Sequence, residues 1–285
     1  MDTIKLRDKH VIASQPYRAQ VTDFVGRESE IKMIMASWLQ ADGSFPLSPV
    51  LLGPPGVGKN RSVYECARLC GKDLYIFQGH EDVTAEDFAC AVRFSDDPGR
   101  KVDYILSGLV TAMVQGGICL VDEIGKVRPR ALAPLVSVLD ERRYIDSTLL
   151  GERIFAHPGF RFIAATNSGD FEAGTLPDFI RSRLRPVIEI GYPSRDEIRE
   201  IVRTRLPRLG EGAERLLHSF WRLWRDQNGD RMPAPRDVVY VFGLALNLAD
   251  FEEARAKNGQ SLSTTASGKV MDKHLELSFQ QLQHA

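Results

Sequence analysis

The feature that most constrains this chain is the segment at residues 53–60, which reads GPPGVGKN. An apolar run at 50–52 precedes it, and between residues 63 and 70 apolar side chains recur at the spacing of one helix face. Glycines let a backbone curl with its N–H groups inward, and a helix N-terminus adds positive potential. The strand, loop and helix together predict a phosphate-binding loop in which Lys59 reaches the β- and γ-phosphates.

The loop departs from the pattern G-x-x-x-x-G-K-[ST] at its last position, where Asn60 replaces a hydroxyl residue. An amide oxygen can still ligate Mg²⁺, but from a longer side chain and with different geometry. Two alternatives stay open: a nucleotide site with impaired hydrolysis, and a glycine-rich turn without nucleotide. The candidate nucleotide-binding residues are Gly53, Pro54, Pro55, Gly56, Val57, Gly58, Lys59, Asn60 and Arg61.

Two further apolar runs end in polar residues. The run ICLV at 118–121 ends in Asp122 and Glu123, and a later run at 162–165 is followed by Thr166 and Asn167. In a parallel sheet these ends meet at one edge. We expect Asp122 to hold Mg²⁺ with Asn60, and Glu123 to act as the general base. Asn167 could orient the attacking water, although asparagine is otherwise a turn former.

The alternation of strand and helix patterns predicts an α/β fold with a parallel sheet, here assigned to residues 1–192. The predicted strands are 50–52, 74–77, 118–121, 162–165 and 187–190, and the clearest helix between them is 130–139. Beyond Pro193, Ser194 and Glu197 have the spacing of a capping box, which predicts a helix start. A smaller all-α domain is therefore assigned to 193–285, with helices at 194–205, 211–227, 235–252 and 268–283.

Composition limits the class of protein. The chain has 37 Lys and Arg against 38 Asp and Glu, so its net charge of -1 gives no basic footprint for nucleic acid. No apolar run approaches the ~18–20 residues that span a bilayer, and the N-terminus lacks the apolar core of a secretory signal. The four cysteines form no CxxC pair, which indicates reduced structural thiols rather than a zinc site. These features predict a cytoplasmic protein without membrane association.

With these three motifs in this order, the chain resembles the AAA+ ATPases from about Val21 to its C-terminus. Within that family it resembles the MoxR branch. Residues 116–124, GGICLVDEI, are similar to that branch's GGILLLDEI, and residues 157–167, HPGFRFIAATN, are similar to HPDFRFIATQN. The FVGRE segment at 24–28 looks like the one that helps hold adenine. Residues 79–102 look like the insertion in the second core helix, and residues 144–155 look like the hairpin before sensor 1.

The resemblance implies two arginine roles. Residues 176–184, LPDFIRSRL, are similar to the finger segment LPEALLDRF, which places the arginine finger at Arg183, with Arg181 and Arg185 as alternatives. In this family the finger reaches the neighbouring copy's nucleotide, so the resemblance implies a homo-oligomeric ring, expected to be a hexamer. Arg236, within PRD, looks like sensor 2. A solvated helix end and a surface ion pair are the respective alternatives.

The family resemblance implies a MoxR-like enzyme that binds and hydrolyses ATP with Mg²⁺. Hydrolysis would move the helical lid and remodel or activate a partner protein, often one with a von Willebrand factor A domain. One alternative is a nucleotide-dependent assembly or binding module, with weak or no hydrolysis because of Asn60. Another is a motor that acts on DNA, which the neutral net charge disfavours.

Overall fold

The structure is a computed structural model, and it describes residues 3–6, 9–19, 23–40, 44–256 and 272–282. The chain packs into two compact units. The α/β unit consists of Met1–Gln20, Arg27–Gly53 and Lys59–Ile190, and the helical unit of Val21–Gly26, Pro54–Gly58 and Gly191–Ala285. Among the described helices, none has the length and apolar character needed to cross a membrane.

Strands and helices alternate through the α/β unit. Its strands are β1 (Thr3–Leu6), β2 (Lys9–Ile12), β3 (Ser48–Leu52), β4 (Leu74–Gln78), β5 (Cys90–Phe94), β6 (Val102–Leu106), β7 (Ile118–Asp122), β8 (Tyr144–Ser147), β9 (Glu152–Phe155), β10 (Arg161–Thr166) and β11 (Leu184–Glu189). Its helices are α1 (Glu28–Ser37), α2 (Lys59–Cys70), α3 (Gly108–Gln115), α4 (Leu135–Leu139), α5 (Ser168–Glu172) and α6 (Asp178–Arg181).

The central sheet has five strands in the order β11-β3-β10-β7-β4, and all of its pairings are parallel. Every residue of β3 is buried, as are the first four of β7 and the last five of β10. Helices cover both faces of such a sheet, which is why its strands are continuously apolar in sequence. The five predicted strands and the α/β class are confirmed.

A second sheet has the order β1-β2-β6-β5, and it was not predicted. The N-terminal strands β1 and β2 pair antiparallel, and Ile12 of β2 pairs with Ile105 of β6 in parallel. The expected insertion at 79–102 contributes a short 3-10 helix, Glu86–Phe88, and strand β5. Strands β8 and β9 form the expected antiparallel hairpin before β10.

The predicted helix at 130–139 is wrong as a single element. The structure has a 3-10 helix at Pro129–Leu132, followed by the short helix α4. Pro134 lies between them as the N-cap of α4. Because proline has no N–H to donate and its ring crowds the preceding turn, a continuous helix is interrupted there.

The helical unit contains α7 (Arg195–Arg205), α8 (Ala213–Asn228), α9 (Pro235–Ala256) and α10 (Asp272–Leu282), with a 3-10 segment at Pro207–Gly212. The capping box at the start of α7 is confirmed, since Ser194 and Glu197 each bond the other's backbone N–H. The predicted helix at 268–283 begins in residues outside the described part of the chain. Phe220, which is fully buried, lies at the centre of an aromatic core in this unit.

Candidate nucleotide site

The predicted phosphate loop connects β3 directly to α2. Gly56 and Gly58 have φ angles of 80° and 103°, a left-handed conformation that favours glycine. Lys59 begins α2, is only 8% exposed, and its Nζ donates to the carbonyl of Gly53 at 2.7 Å. The glycines and the lysine therefore have the local conformation that the sequence pattern predicts. Whether the nine loop residues bind nucleotide stays a prediction.

The sheet order brings the ends of β3, β10 and β7 side by side. Thr166 pairs with Leu52, so Asn167 emerges next to the start of the phosphate loop. The Lys59 Nζ donates to Asn167 Oδ1 at 3.0 Å, and Asn167 Nδ2 donates to Glu123 Oε2 at 3.2 Å. Asn167 thus connects Lys59, the candidate phosphate-binding lysine, with Glu123, the candidate general base. The structure brings together these three residues, which the sequence placed on separate elements.

Asn60 and Asp122, the two candidate metal ligands, are in direct contact. The Asn60 Nδ2 donates to Asp122 Oδ2 at 2.5 Å, and the other Asp122 oxygen accepts from the backbone N–H of Glu123 at 3.0 Å. Carboxylate and amide oxygens are the hard ligands that Mg²⁺ takes, and Mg²⁺ usually keeps several waters and binds substrate phosphates as well. This donor pair therefore fits Mg²⁺. Within the described residues, no group of three or more His, Cys, Asp and Glu forms a metal cluster.

The backbone of Glu123 has a left-handed conformation, with φ 53° and ψ 38°. Three residues later, Lys126 forms an ion pair with it, with Nζ 3.3 Å from Glu123 Oε2. The carboxylate of Glu123 is therefore held between the ammonium of Lys126 and the amide of Asn167. Sequence analysis missed Lys126, because its contact depends on a turn that begins only after the apolar run has ended.

Gly79 is a second residue that sequence analysis did not connect with the site. It directly follows β4, and its N–H donates to the carbonyl of Asp122 at 2.8 Å. A Cβ at this position would lie 2.6 Å from the carbonyl oxygen of Glu123. Only glycine leaves room for this approach, so Gly79 fixes the backbone that carries both acids. The one available signal was a glycine immediately after a predicted strand.

Tyr64 lies one helical turn after Asn60 on α2, and its ring centroid is 4.8 Å from that of Tyr17. Burial raises the pKa of Tyr64 to about 12, and the proximity of Tyr17 and Asp122 adds to the increase. The hydroxyl therefore stays protonated at neutral pH. On the same helix, burial raises the pKa of the Cys66 thiol to about 12. All four cysteines are free, as predicted from their spacing.

The three candidate finger arginines have different surroundings. The Arg183 Nη1 donates to the carbonyl of Phe179 at 2.7 Å, and its Nε lies 3.8 Å from Asp140 Oδ2. Arg181 is exposed and lies over the ring of Phe171, 5.3 Å from its centroid. Arg185 is exposed on β11. The hydrogen bond and the ion pair of Arg183 hold its guanidinium in place, which is consistent with its assignment from the family pattern.

Arg236, the candidate sensor 2 residue, is the second residue of α9 in the helical unit. Its backbone N–H donates to the carbonyl of Gly56 at 3.4 Å. Its side chain is 66% exposed, with Nε 3.7 Å from the neighbouring Asp237. The arginine proposed as sensor 2 therefore contacts the loop segment Pro54–Gly58, which belongs to the same unit.

Residues 48–184 match the family model described as AAA domain (dynein-related subfamily). The segment contains four of the five strands of the central sheet (β3, β4, β7 and β10), the phosphate loop and both acids. This part of the chain is therefore an AAA+ domain of the dynein-related subfamily, and the MoxR-like resemblance read from its motifs is confirmed.

Relatives by sequence include an uncharacterized protein of Staphylococcus saprophyticus, 26% identical over 186 residues, which cover 64% of this chain and 68% of the relative. Protein CbbQ of Hydrogenophilus thermoluteolus is 28% identical over 203 residues, which cover 69% of this chain and 68% of CbbQ. Protein NorQ of Paracoccus denitrificans is 35% identical over 131 residues, which cover 42% of this chain and 44% of NorQ. The match to an uncharacterized protein of Staphylococcus haemolyticus covers 59% of that protein's length.

Among solved structures, RuvB of Thermotoga maritima superposes with a TM-score of 0.57 at 16% identity, covering 90% of this chain and 70% of that one. A further structure, titled as the RuvB Holliday junction branch migration motor, gives a TM-score of 0.53. At this level of identity the likeness shows a shared fold and nothing about DNA binding by this chain.

Proposed function

We propose that this protein is a MoxR-like ATPase that hydrolyses ATP with Mg²⁺ and uses the energy to remodel or activate a partner protein. The observation that carries the proposal is the continuous set of contacts from Lys59 through Asn167 to Glu123. Lys59 supplies a cation for the phosphates, Asn167 a polar orienting group and Glu123 an acid. The adjoining pair Asn60 and Asp122 supplies metal ligands at the same sheet edge. An AAA+ domain is a nucleotide-binding fold, and each of these groups has a role in phosphoryl transfer.

Each residue has a defined task in the proposed reaction. Lys59 and the amides of the phosphate loop bind the phosphates of ATP, and Asn60 and Asp122 would hold Mg²⁺, which neutralises charge on the phosphate oxygens. Asn167 positions a water, and Glu123 accepts its proton as the oxygen attacks the γ-phosphorus. The bond from that phosphorus to the bridging oxygen breaks, leaving ADP and inorganic phosphate.

Two arginines complete the proposed site. In the proposal Arg183 acts on the nucleotide of a neighbouring copy, where an arginine supplied in trans can be worth ~10³–10⁵ in rate. This requires a homo-oligomer, and the family resemblance favours a hexameric ring. Arg236 serves as sensor 2 and touches the γ-phosphate. The contact of its backbone with Gly56 supports a position near the phosphate loop.

The proposed partner is a protein client, with a von Willebrand factor A domain as the candidate that the family resemblance suggests. A DNA substrate is disfavoured because Lys and Arg (37) and Asp and Glu (38) are nearly equal in number. The free cysteines and the family resemblance support a cytoplasmic location.

The alternative is a nucleotide-dependent binding module that hydrolyses ATP weakly or not at all. One contact favours it: the Asn60 amide donates to Asp122, the carboxylate expected to hold the metal. A hydroxyl residue at this position would place a single oxygen toward the metal. Asn60 instead can stabilise Asp122 without contributing a ligand, which would weaken the use of Mg²⁺.

Steady-state ATP hydrolysis with Mg²⁺, measured across protein concentration, separates the two. The proteins compared are the wild type and the variants Asn60→Thr and Glu123→Gln, and ATP binding is measured for each of them. Specific turnover that rises with protein concentration and disappears in Glu123→Gln supports a ring-forming ATPase. Turnover that is absent in wild type and gained in Asn60→Thr supports the binding module instead. A wild-type chain that binds no ATP contradicts both.

A further inference from the structure

The guanidinium of Arg183 is held at two of its nitrogens by its own chain. Its Nη1 donates to Phe179 within the same chain, and its Nε faces Asp140. That Nε is buried and, within the part of the chain that the structure describes, has no hydrogen-bond partner, while the side chain as a whole is 32% exposed. Asp140 therefore provides the negative charge that compensates this buried nitrogen.

Asp140 lies at the C-terminal end of α4 and is itself fixed by Arg142. The Arg142 Nε donates to Asp140 Oδ1 at 3.0 Å, and Arg142 Nη2 donates to Asp140 Oδ2 at 2.7 Å. The backbone N–H of Arg142 adds a third bond, to Oδ1 at 3.1 Å. The hydrogen bonds from Arg142 hold the pKa of Asp140 below its usual range. The carboxylate that faces Arg183 is therefore ionised and oriented at neutral pH.

These two contacts determine which part of the Arg183 guanidinium is left to bind another molecule. A guanidinium has five N–H donors in a rigid planar fork. The hydrogen bond at Nη1 and the ion pair at Nε leave Nη2 and the second hydrogen of Nη1 for another molecule. A fixed arginine stabilises a transition state better than a free one, because the cost of ordering it has already been met.

We propose that Asp140 is a positioning residue for Arg183, holding the finger so that its Nη2 is presented to the nucleotide of a neighbouring copy. The inference rests on the proposed function, in which Arg183 completes the neighbour's site. In the same proposal, Arg142 is the residue that orients Asp140.

The test is ATP turnover in mixtures of variants of the full-length chain. An Asp140→Asn copy keeps an intact ATP site but presents a poorly placed finger. A Glu123→Gln copy keeps an intact finger but lacks the general base. In a mixed ring, some Asp140→Asn sites receive the finger of a Glu123→Gln neighbour and regain turnover. The matched control is Asp146→Asn, which breaks a similar Asp–Arg pair, with Arg153, on the hairpin β8–β9.

We expect Asp140→Asn alone to lower turnover about 10-fold or more, as a misplaced group does, with ATP binding unchanged. Asp140→Glu should restore part of the loss. Equimolar Asp140→Asn and Glu123→Gln should turn over more ATP than the two preparations measured separately. The Arg183→Ala variant should show the same complementation from a lower starting value, and Asp146→Asn should resemble wild type.

Three results would overturn the inference: normal turnover in Asp140→Asn, a loss that mixing does not repair, or a loss that comes with weakened ATP binding. Normal turnover in Arg183→Ala overturns the finger assignment and the inference with it. A wild-type protein that hydrolyses no ATP contradicts the proposed function itself. That outcome is read from wild type alone, so it is distinct from a failure of Asp140.

Discussion

Lys59 and Asn167 are 108 positions apart in the chain, yet the Lys59 Nζ lies 3.0 Å from Asn167 Oδ1. The contact exists because β3 and β10 are neighbours in the sheet and both end at the same edge. Through its other amide atom, Asn167 also binds Glu123. One asparagine therefore links the group proposed to bind phosphate with the group proposed to activate water.

The first prediction follows from that link. Replacing Asn167 with alanine should lower kcat for ATP about 10²-fold, because the water and Glu123 lose their common orienting group. The affinity for ATP should change little, since Lys59 keeps its bond to Gly53. Steady-state kinetics and equilibrium ATP binding measure the two effects separately. Asn228→Ala, in the helical unit, is the control, and an equal loss in both variants contradicts the role of Asn167.

The second prediction concerns Lys126, which forms an ion pair with Glu123. Lys126 is about half exposed, and exposed ion pairs contribute about 0–1 kcal/mol. We therefore expect Lys126→Met to reduce kcat by no more than about fivefold, without altering ATP affinity. Lys126→Arg should keep most of the activity. The exposed Lys32 on α1 provides the control, and a large drop in ATP affinity would show that Lys126 acts on binding instead.

The parts of the site that were predictable share one physical origin. Asp122 ends a buried parallel strand, Glu123 and Asn167 directly follow one, and Lys59 follows one through the phosphate loop. Parallel strands in one sheet end at a common edge. The apolar runs and the residues after them are visible in the sequence, so the sheet, its edge and these four residues could be placed. Their mutual contacts then follow from the strand order.

The parts that were missed depend on backbone conformation or on distant pairing. Lys126 reaches Glu123 only because Glu123 adopts a left-handed conformation, which a glutamate rarely does. Strands β1 and β2 are short and carry charged residues, and their sheet is completed by β6, far along the chain. The helix predicted at 130–139 is divided at Pro134, whose effect the apolar spacing of that segment does not show. Neither the backbone conformation of Glu123 nor the pairing of β2 with β6 is encoded in a local apolar pattern.

The third prediction is a pH dependence at Glu86, whose carboxylate accepts from Ser147 Oγ at 2.5 Å and from the hydroxyl of Thr148 at 2.6 Å. It also accepts from the backbone N–H groups of Thr148 and Leu149. Burial acts to raise the pKa of Glu86, but these hydrogen bonds outweigh it, so the pKa lies below its ordinary value of 4.5. The 3-10 helix of the insertion is thereby tied to the hairpin β8–β9.

Since the folded-state pKa is the lower one, the stabilisation from Glu86 is fully present above pH 4.5 and is lost as the pH falls through the folded-state value. Glu86→Gln should therefore lower the free energy of unfolding by about 1 kcal/mol at pH 7. At pH 3 the difference from wild type should be smaller. Urea unfolding at both values measures this, with the exposed Glu141→Gln as control. A difference that grows on acidification contradicts the assignment.

The last prediction addresses the helical unit, whose core is centred on Phe220. This side chain is fully buried, and its ring centroid lies 5.6 Å from that of Phe242 and 5.9 Å from that of Phe279. Phe220→Ala removes a large buried ring and leaves a cavity, so we expect a loss of about 3–5 kcal/mol in the free energy of unfolding. Phe251→Ala on α9 is the matched control, because Phe251 is 49% exposed.

Tryptophan fluorescence during denaturation reports on this unit directly. Trp221 and Trp224 both pack against Phe220, whereas the remaining tryptophan, Trp38, lies in the α/β unit. The Phe220→Ala midpoint should move to a clearly lower denaturant concentration, while Phe251→Ala stays close to wild type. If the two variants shift equally, Phe220 is not the centre of this core, because a buried ring would then contribute no more than a half-exposed one.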